Sequence, residues 1–230
     1  MRFTFRTFRA TDEPESCLEF HQGHSKILTD LGIENLTSNY PTWFDDPNTL
    51  VITATNEEAE LVGGIRVQLY TGDYELPIMT AIKYQDPNII TAIERRKNNK
   101  GVAESCGLWN SKKVFGRGIS PLLARCSVSQ TSFFEIDNLC CFSAPYTLKM
   151  IKSLGFIEMK EVGNNGQLPY PSEKYMSSVL EIPNIHTLEY SDSNQKERIL
   201  SLINQPKQTV IELSQGKEIE IEYNLLSKYE

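Results

Sequence analysis

Apolar and polar residues alternate at the start of the chain. Phe3, Phe5 and Phe8 are spaced by arginine and threonine, which predicts a strand with a bend near its end. Thr11 and Asp12 are suited to cap a helix, and Pro14 falls in its first turn. Cys17, Phe20, His24, Ile27, Leu28 and Leu31 then recur at three- and four-residue spacing, predicting a helix over 13–31 that Gly32 ends. Residues 33–49 carry no clear period; Pro41, Asp45, Asp46 and Pro47 suggest a loop with room for one short helix. Leu50–Thr55 and Leu61–Tyr70 read as a hairpin around an acidic turn. An excursion over 71–100 includes a helix started by Asp86 and Pro87, with Ile89, Ile90 and Ile93 on one side. Val102–Asn110 reads as a strand, about 119–131 as a helix, Asn138–Ser143 as a short strand, and Pro145 to Gly155 as a helix. Phe156–Glu161 and Met176–Ile182 complete a series of strands. After Pro183 come a helix, Ser193–Asn204, and a hairpin of Thr209–Leu213 with Glu218–Tyr223. The order predicts a mixed α/β sheet over 1–182, with a C-terminal helix–hairpin appendage over 183–230.

Composition narrows the choices. A chain of 230 residues with 40% hydrophobic and 23% charged residues can bury a core without disulfide or metal staples. The 23 basic and 30 acidic residues give a net charge of −7, which disfavours nucleic acid as a partner. The five cysteines include no C-x-x-C, and Cys140-Cys141 sits in an apolar run, so reduced thiols in a cytoplasmic setting are expected. The alternating N-terminus reads as a strand and not a signal peptide, and no run of 18 apolar residues occurs, so no membrane span is expected. His21, His24 and His186 do not assemble a metal-ligand set, and there is no G-x-S-x-G.

One segment carries chemistry. Glu104-Ser-Cys-Gly-Leu-Trp-Asn-Ser-Lys-Lys-Val-Phe-Gly-Arg-Gly-Ile-Ser-Pro-Leu-Leu is a strand, a turn with two glycines, and a helix start. The first amides of a helix lack intrahelical partners and lie at the positive end of its dipole. Gly116 and Gly118 let the backbone approach an anion closely, while Lys113 and Arg117 can add side-chain charge.

Lys113-Val114-Phe115-Gly116-Arg117-Gly118 resembles the Q/R-x-x-G-x-G/A pyrophosphate signature of the GNAT superfamily of N-acetyltransferases, with Lys where Gln or Arg is preferred. Leu108-Trp109-Asn110 resembles that family's fourth strand, Ile119 and Leu122-Leu123 its following helix, and Leu154-Gly155-Phe156 its later Gly-Phe exit. The resemblance covers roughly 1–182 and implies a central mixed, mostly antiparallel twisted sheet flanked by helices. It implies that acyl-CoA, acetyl-CoA in the simplest case, is the co-substrate. Its diphosphate would sit on the amides of Val114 through Ser120, Ile119 included, and its pantetheine arm would pair with Leu108–Asn110. Glu104 stands where many members carry the base that deprotonates a small-molecule primary amine. Ile151 stands where a tyrosine often protonates the leaving thiolate, leaving Tyr146, Ser143 or Cys141 as substitutes; Tyr146 is the one adopted here.

Gly63-Gly64-Ile65-Arg66-Val67, the excursion with Tyr74 and Leu76-Pro77, and Glu104 are also similar to the acyl-homoserine-lactone and long-chain N-acyl amino acid synthases. Their strand motif is E-x-x-R; here Gly107 occupies the Arg position. That resemblance implies acyl carrier protein as the alternative donor, with Arg95, Arg96, Lys97 and Lys100 as a docking patch. Trp43-Phe44-Asp45-Asp46 could line an acceptor pocket, and the 208–223 hairpin could serve a homodimer contact. A non-catalytic ligand- or partner-binding domain is the remaining alternative.

Overall fold

The computed structural model describes residues 1–33, 36–214 and 216–227. One mixed sheet holds β1 (Arg2–Arg9), β2 (Thr49–Thr55), β3 (Leu61–Leu69), β4 (Val102–Asn110), β5 (Asn138–Ser143), β6 (Ile157–Glu158), β7 (Gln167–Pro169), β8 (Met176–Ile182), β9 (Lys207–Ser214) and β10 (Lys217–Asn224). The helices are α1 (Pro14–Asp30), α2 (Pro77–Ile82), α3 (Asn88–Lys100), α4 (Ile119–Thr131), α5 (Leu148–Ser153) and α6 (Ser193–Asn204). The strand order is β6-β8-β5-β4-β3-β2-β1-β10-β9, with β7 beside β8. Pairing is antiparallel except at β4–β5 and β1–β10.

Helices cover both faces of the sheet. Phe3 and Phe5 of β1, Ala103 of β4 and Leu139 of β5 share a core with Leu122, Leu123 and Cys126 of α4, Ile151 of α5 and Ile199 of α6. On the opposite face, α1 buries Cys17 and Phe20 against Trp43 and Trp109, while α2 and α3 bury Ile78, Met79, Ile89 and Ile93 against Val102 and Cys140. The period-2 pattern of β1 divides its apolar residues between these faces, because Phe8 joins the α1 side.

Most sequence-predicted elements stand where their periodicity puts them. α2 was not expected: six residues are too few to display a helical repeat, although Pro77 at its start is the proper signal. The strand expected over 156–161 shrinks to Ile157–Glu158, and β7 arises in the Gly/Asn-rich loop. The C-terminal helix and hairpin are present and continuous with the body. β10 lies parallel to β1, and its Tyr223 ring is 5.5 Å from that of Phe5. Arg125 of α4, buried, meets Glu212 of β9 at 2.5 Å. β9 is thus the sheet's outer strand, with Ile211 and Leu213 exposed. Among the described residues, no helix is long and apolar enough to cross a membrane.

Candidate functional site

The sheet opens into a fork at β4 and β5. These parallel strands pair only from Val102–Asn138 to Glu104–Cys140. Beyond that point β4 keeps β3 on its far side, and Cys141–Ser143 of β5 pair with β8. Glu104 is therefore the last β4 residue in register with β5, and among the described residues no strand lies beside the β5-facing edge of Ser105–Asn110. The chain leaves the tip of β4 through a 3-10 turn, Lys112–Val114, and the glycine turn that starts α4.

Gly116 and Gly118 have φ of 73° and 76°, the left-handed region that glycine enters without steric cost. The amides of Val114, Phe115 and Arg117 are occupied by the carbonyls of Ser111, Lys112 and Val114. Among the described residues nothing accepts from the amides of Gly116, Gly118, Ile119 or Ser120. The free set is smaller than the Val114–Ser120 run expected from sequence, because the turn itself consumes three amides. Val114 is buried in the core and Phe115 is exposed. The Ser120 hydroxyl bonds to the Asn110 side chain, fixing the turn to β4. Lys113 is paired with Glu60 at 2.9 Å on the exposed surface, whereas Arg117 has no carboxylate partner among the described residues.

Strand alternation places Glu104, Cys106 and Leu108 on one face, but the structure breaks that alternation. Arg66 pairs with Cys106 and Gly64 with Trp109, so Gly107 and Leu108 together face one residue of β3. This is a β-bulge, and Gly107 with φ of 64° permits it. Leu108 turns to the α4 core, and Trp109 joins the Glu104 face, stacked edge-on against Phe20 at 5.9 Å. The indole packs on Gly23 of α1, where an added Cβ would lie 2.2 Å from the ring. Gly23→Ala should therefore cost about 1–3 kcal/mol of folding stability despite alanine's better helix propensity, read as a lower urea midpoint. Beside this indole lies a groove of about 610 Å³ bordered by Ile27, Leu61, Ser111 and the Lys112–Asp30 and Lys113–Glu60 ion pairs.

Glu104 is 2% exposed and accepts the Ile78 amide at 2.9 Å. Burial pushes its carboxyl up to about 8, and the Ile78 hydrogen bond and the charge of Arg66 offset only part of that rise. Sequence reading gave Arg66 no role. It is 1% exposed, with its guanidinium 4.1 Å above the Trp43 ring and 5.8 Å from Phe20. Its Nη2 donates to the Ser38 carbonyl at 2.9 Å and to Cys106 Sγ at 3.4 Å, while its Nε has no partner. Among the described residues no carboxylate lies within ion-pair distance of it. A Cβ built on Gly107 would lie 3.5 Å from Arg66 Nη1, so a β3 arginine occupies the space beside the position where E-x-x-R places one. The nearby His24 is driven down to about 3, first by burial and then by Arg66.

The other expected residues lie elsewhere. Tyr146 sits in the 3-10 turn Pro145–Thr147, 76% exposed and without a hydrogen bond among the described residues. Trp43 belongs to the α1-side core, and Asp46 is spent holding the Asn48 amide and the Thr49 hydroxyl. In the basic cluster, Arg96 is buried with its Nε and Nη2 on Glu181 and its Nη1 on the Ala92 carbonyl, Arg95 meets Glu161 at 2.7 Å, and Lys100 meets Asp137 at 3.3 Å. Lys97 lies 3.9 Å from Glu94 and over the Tyr70 ring. Of the four, Arg96 alone is buried, while Arg95 and Lys100 hold their ion pairs on the surface.

No protein-family model matches the chain, and no curated protein matches it by sequence. Solved structures match it in three dimensions. FeeM, an N-acyl amino acid synthase from uncultured soil microbes, superposes with a TM-score of 0.63 at 16% identity, over 85% of this chain and 98% of that one. BjaI, a CoA-dependent acyl-homoserine lactone synthase solved with SAM and isopentyl-CoA, gives 0.58 at 14%, over 98% and 96%. MesI, another CoA-dependent acyl-homoserine lactone synthase, gives 0.53 at 13%, over 85% and 92%. The fold is the GNAT-like one, and these neighbours that share it are acyltransferases.

Proposed function

We propose that this protein is an N-acyltransferase that moves an acyl group, most simply acetyl, from acyl-CoA to the primary amine of a small molecule. The observation that carries the reading is Glu104 at the apex of the β4–β5 fork, on the strand whose far end leads into a turn with unclaimed amides. The amides of Gly116, Gly118, Ile119 and Ser120, with Arg117 and Lys113, suit the diphosphate, and the unpaired edge of Leu108–Asn110 suits the amide-bearing arm. Lys113 would leave Glu60 to do so, at little cost for an exposed pair.

Glu104 takes a proton from the incoming ammonium, directly or through water, so that nitrogen has a lone pair. That nitrogen bonds to the thioester carbonyl carbon, the C=O electrons move onto oxygen, and a β4 amide holds the oxyanion. When the carbonyl re-forms, the C–S bond breaks, its electrons leave with sulfur, and the second proton on nitrogen passes, directly or through water, to the departing thiolate. A thiolate leaves without a dedicated acid, so Tyr146 in its exposed turn is dispensable in this scheme.

Arg66 favours a more specific acceptor. A buried guanidinium without a carboxylate suits the carboxylate of an amino acid whose amine faces Glu104. In that reading the protein is an N-acyl amino acid synthase, and its donor is either acyl-CoA or an acyl carrier protein. Consumption of one thioester while the other is ignored identifies the donor.

Calorimetry with acetyl-CoA and longer acyl-CoAs tests the donor site. Binding should weaken about tenfold in Gly118→Ala, because a left-handed alanine costs about 1–2 kcal/mol, and the turn would relax away from the anion. No binding of any acyl-CoA at millimolar concentration, together with no turnover of a carrier-protein thioester, would overturn the assignment.

A further inference from the structure

Glu104, Arg66 and Cys106 are sealed from solvent on the α1–α2 face, and none of the three borders the groove beside Trp109. If they serve acyl transfer as proposed above, an acceptor must reach them past something that moves. The cover over this spot is Leu36–Tyr40, whose 3-10 turn Thr37–Asn39 buries none of its residues. It is held by polar contacts. The Thr37 amide donates to the Tyr170 hydroxyl at 2.8 Å, and the Thr37 hydroxyl donates to the Pro77 carbonyl at 2.8 Å and lies 3.1 Å from the same tyrosine oxygen. The Ser38 carbonyl accepts from Arg66, and the Asn39 amide group bonds to Ser25 of α1.

The next turn, Pro41–Asp45, is anchored differently. Trp43 is 1% exposed and packs on Phe20 at 5.6 Å. Apolar burial fixes that end, whereas hydrogen bonds that water can replace hold the other. Segments with few buried apolar contacts open locally long before the whole fold does. One nitrogen, Arg66 Nη2, touches both the Ser38 carbonyl and Cys106 Sγ, so lifting the turn uncovers Arg66 and Cys106 together.

Tyr170 lies across the fork from α1. It follows β7, and its ring packs 4.9 Å from Phe142 of β5, the strand that walls the other side of the opening. Pro77, which shares Thr37 with it, precedes the Ile78 amide that holds Glu104. We propose that Leu36–Tyr40 is a strap that lifts to admit the acceptor, and that the Tyr170 hydroxyl is its latch, a positioning residue that ties the strap to the β5 side of the fork.

Cysteine labelling reads the strap without any assumption about turnover. Iodoacetamide reaches Cys106 only when the strap lifts, while Cys126, fully buried under α4 on the opposite face, reports opening of the whole protein. In Tyr170→Phe, which keeps the ring and removes the hydroxyl, Cys106 should be alkylated roughly five- to tenfold faster and should stay far faster than Cys126, whose rate rises by no more than the same factor. Thr37→Ser, which keeps both latch contacts, should label like the natural protein. An unchanged Cys106 rate in Tyr170→Phe, or Cys106 labelling no faster than Cys126 in the natural protein, would overturn the strap and its latch. The strap can pass this test in a protein that transfers no acyl group, so failure of the acyl-transfer reading is scored separately by thioester turnover.

Discussion

Glu104→Gln should lower kcat/KM for the proposed acyl transfer by about 10²–10⁴-fold, the range that a positioned general base contributes. Glutamine keeps the size of the side chain and can still accept the Ile78 amide, so the backbone at the fork has no reason to move. The pH dependence separates a base from a structural carboxyl. With the carboxyl near 8, only a minority is ionised at pH 7, so turnover by the natural protein should speed up through about pH 8 and then level off. The variant should lose that limb. Stability has its own sign. The folded protein keeps the Glu104 proton until about 8, whereas an unfolded glutamate releases it near its ordinary value of 4.5. Between those values the folded state binds more protons, so the contribution is fully present at low pH and drains away as pH rises through 8. The variant, permanently neutral, should match the natural protein in urea at pH 5 and exceed it at pH 9. Full turnover in Glu104→Gln would remove the base from the mechanism, whatever the stability curves show.

Much of this site was legible in the sequence because its parts are local. The strand, two glycines and helix start lie in one continuous run, and glycine at a left-handed turn is a statement about a single residue. Glu104 was legible for the same reason, as a carboxylate at a fixed distance from Leu108 on one strand. The bulge was not. Its signal is only Gly107, and a register shift flips every side chain beyond it, which exchanged Leu108 for Trp109 on the working face. Arg66 stayed silent because its meaning is non-local: Ser38, Trp43 and Cys106 surround it from three separate segments. Tyr146 drew attention only as a substitute for the tyrosine whose family position Ile151 occupies, while Tyr170, in a Pro- and Gly-rich loop with no period, meets Thr37 across 133 positions. A charge run is read one residue at a time: Arg96 alone of Arg95–Lys97 is drawn inside, because Glu161 and Glu181 reach it from distant segments.

Arg66→Met separates the charge from the space it fills. Arg96 and Arg125, the other buried arginines, each have a carboxylate at 2.5 Å, so removing either would strand an acid. Arg66 has no such partner, and replacing an unpaired buried charge with an apolar side chain of similar length is generally neutral or stabilising. Against that stand the lost ring contacts with Trp43 and Phe20, worth up to about 2 kcal/mol when desolvated. The net expectation is a gain of about 1 kcal/mol in urea unfolding. Catalysis should go the other way. A charge-assisted hydrogen bond to a substrate carboxylate is worth about 1.5–3 kcal/mol, so kcat/KM for an amino acid acceptor should fall about 100-fold. The amide of the same amino acid, which offers no carboxylate, should be used equally by both proteins. Losing the nearby cation also removes a force that lowers the Glu104 carboxyl, so the rising pH limb should move above 8. A variant that is less stable and still distinguishes the acid from its amide would show that Arg66 is a structural strut, and the acceptor's carboxylate would need another seat.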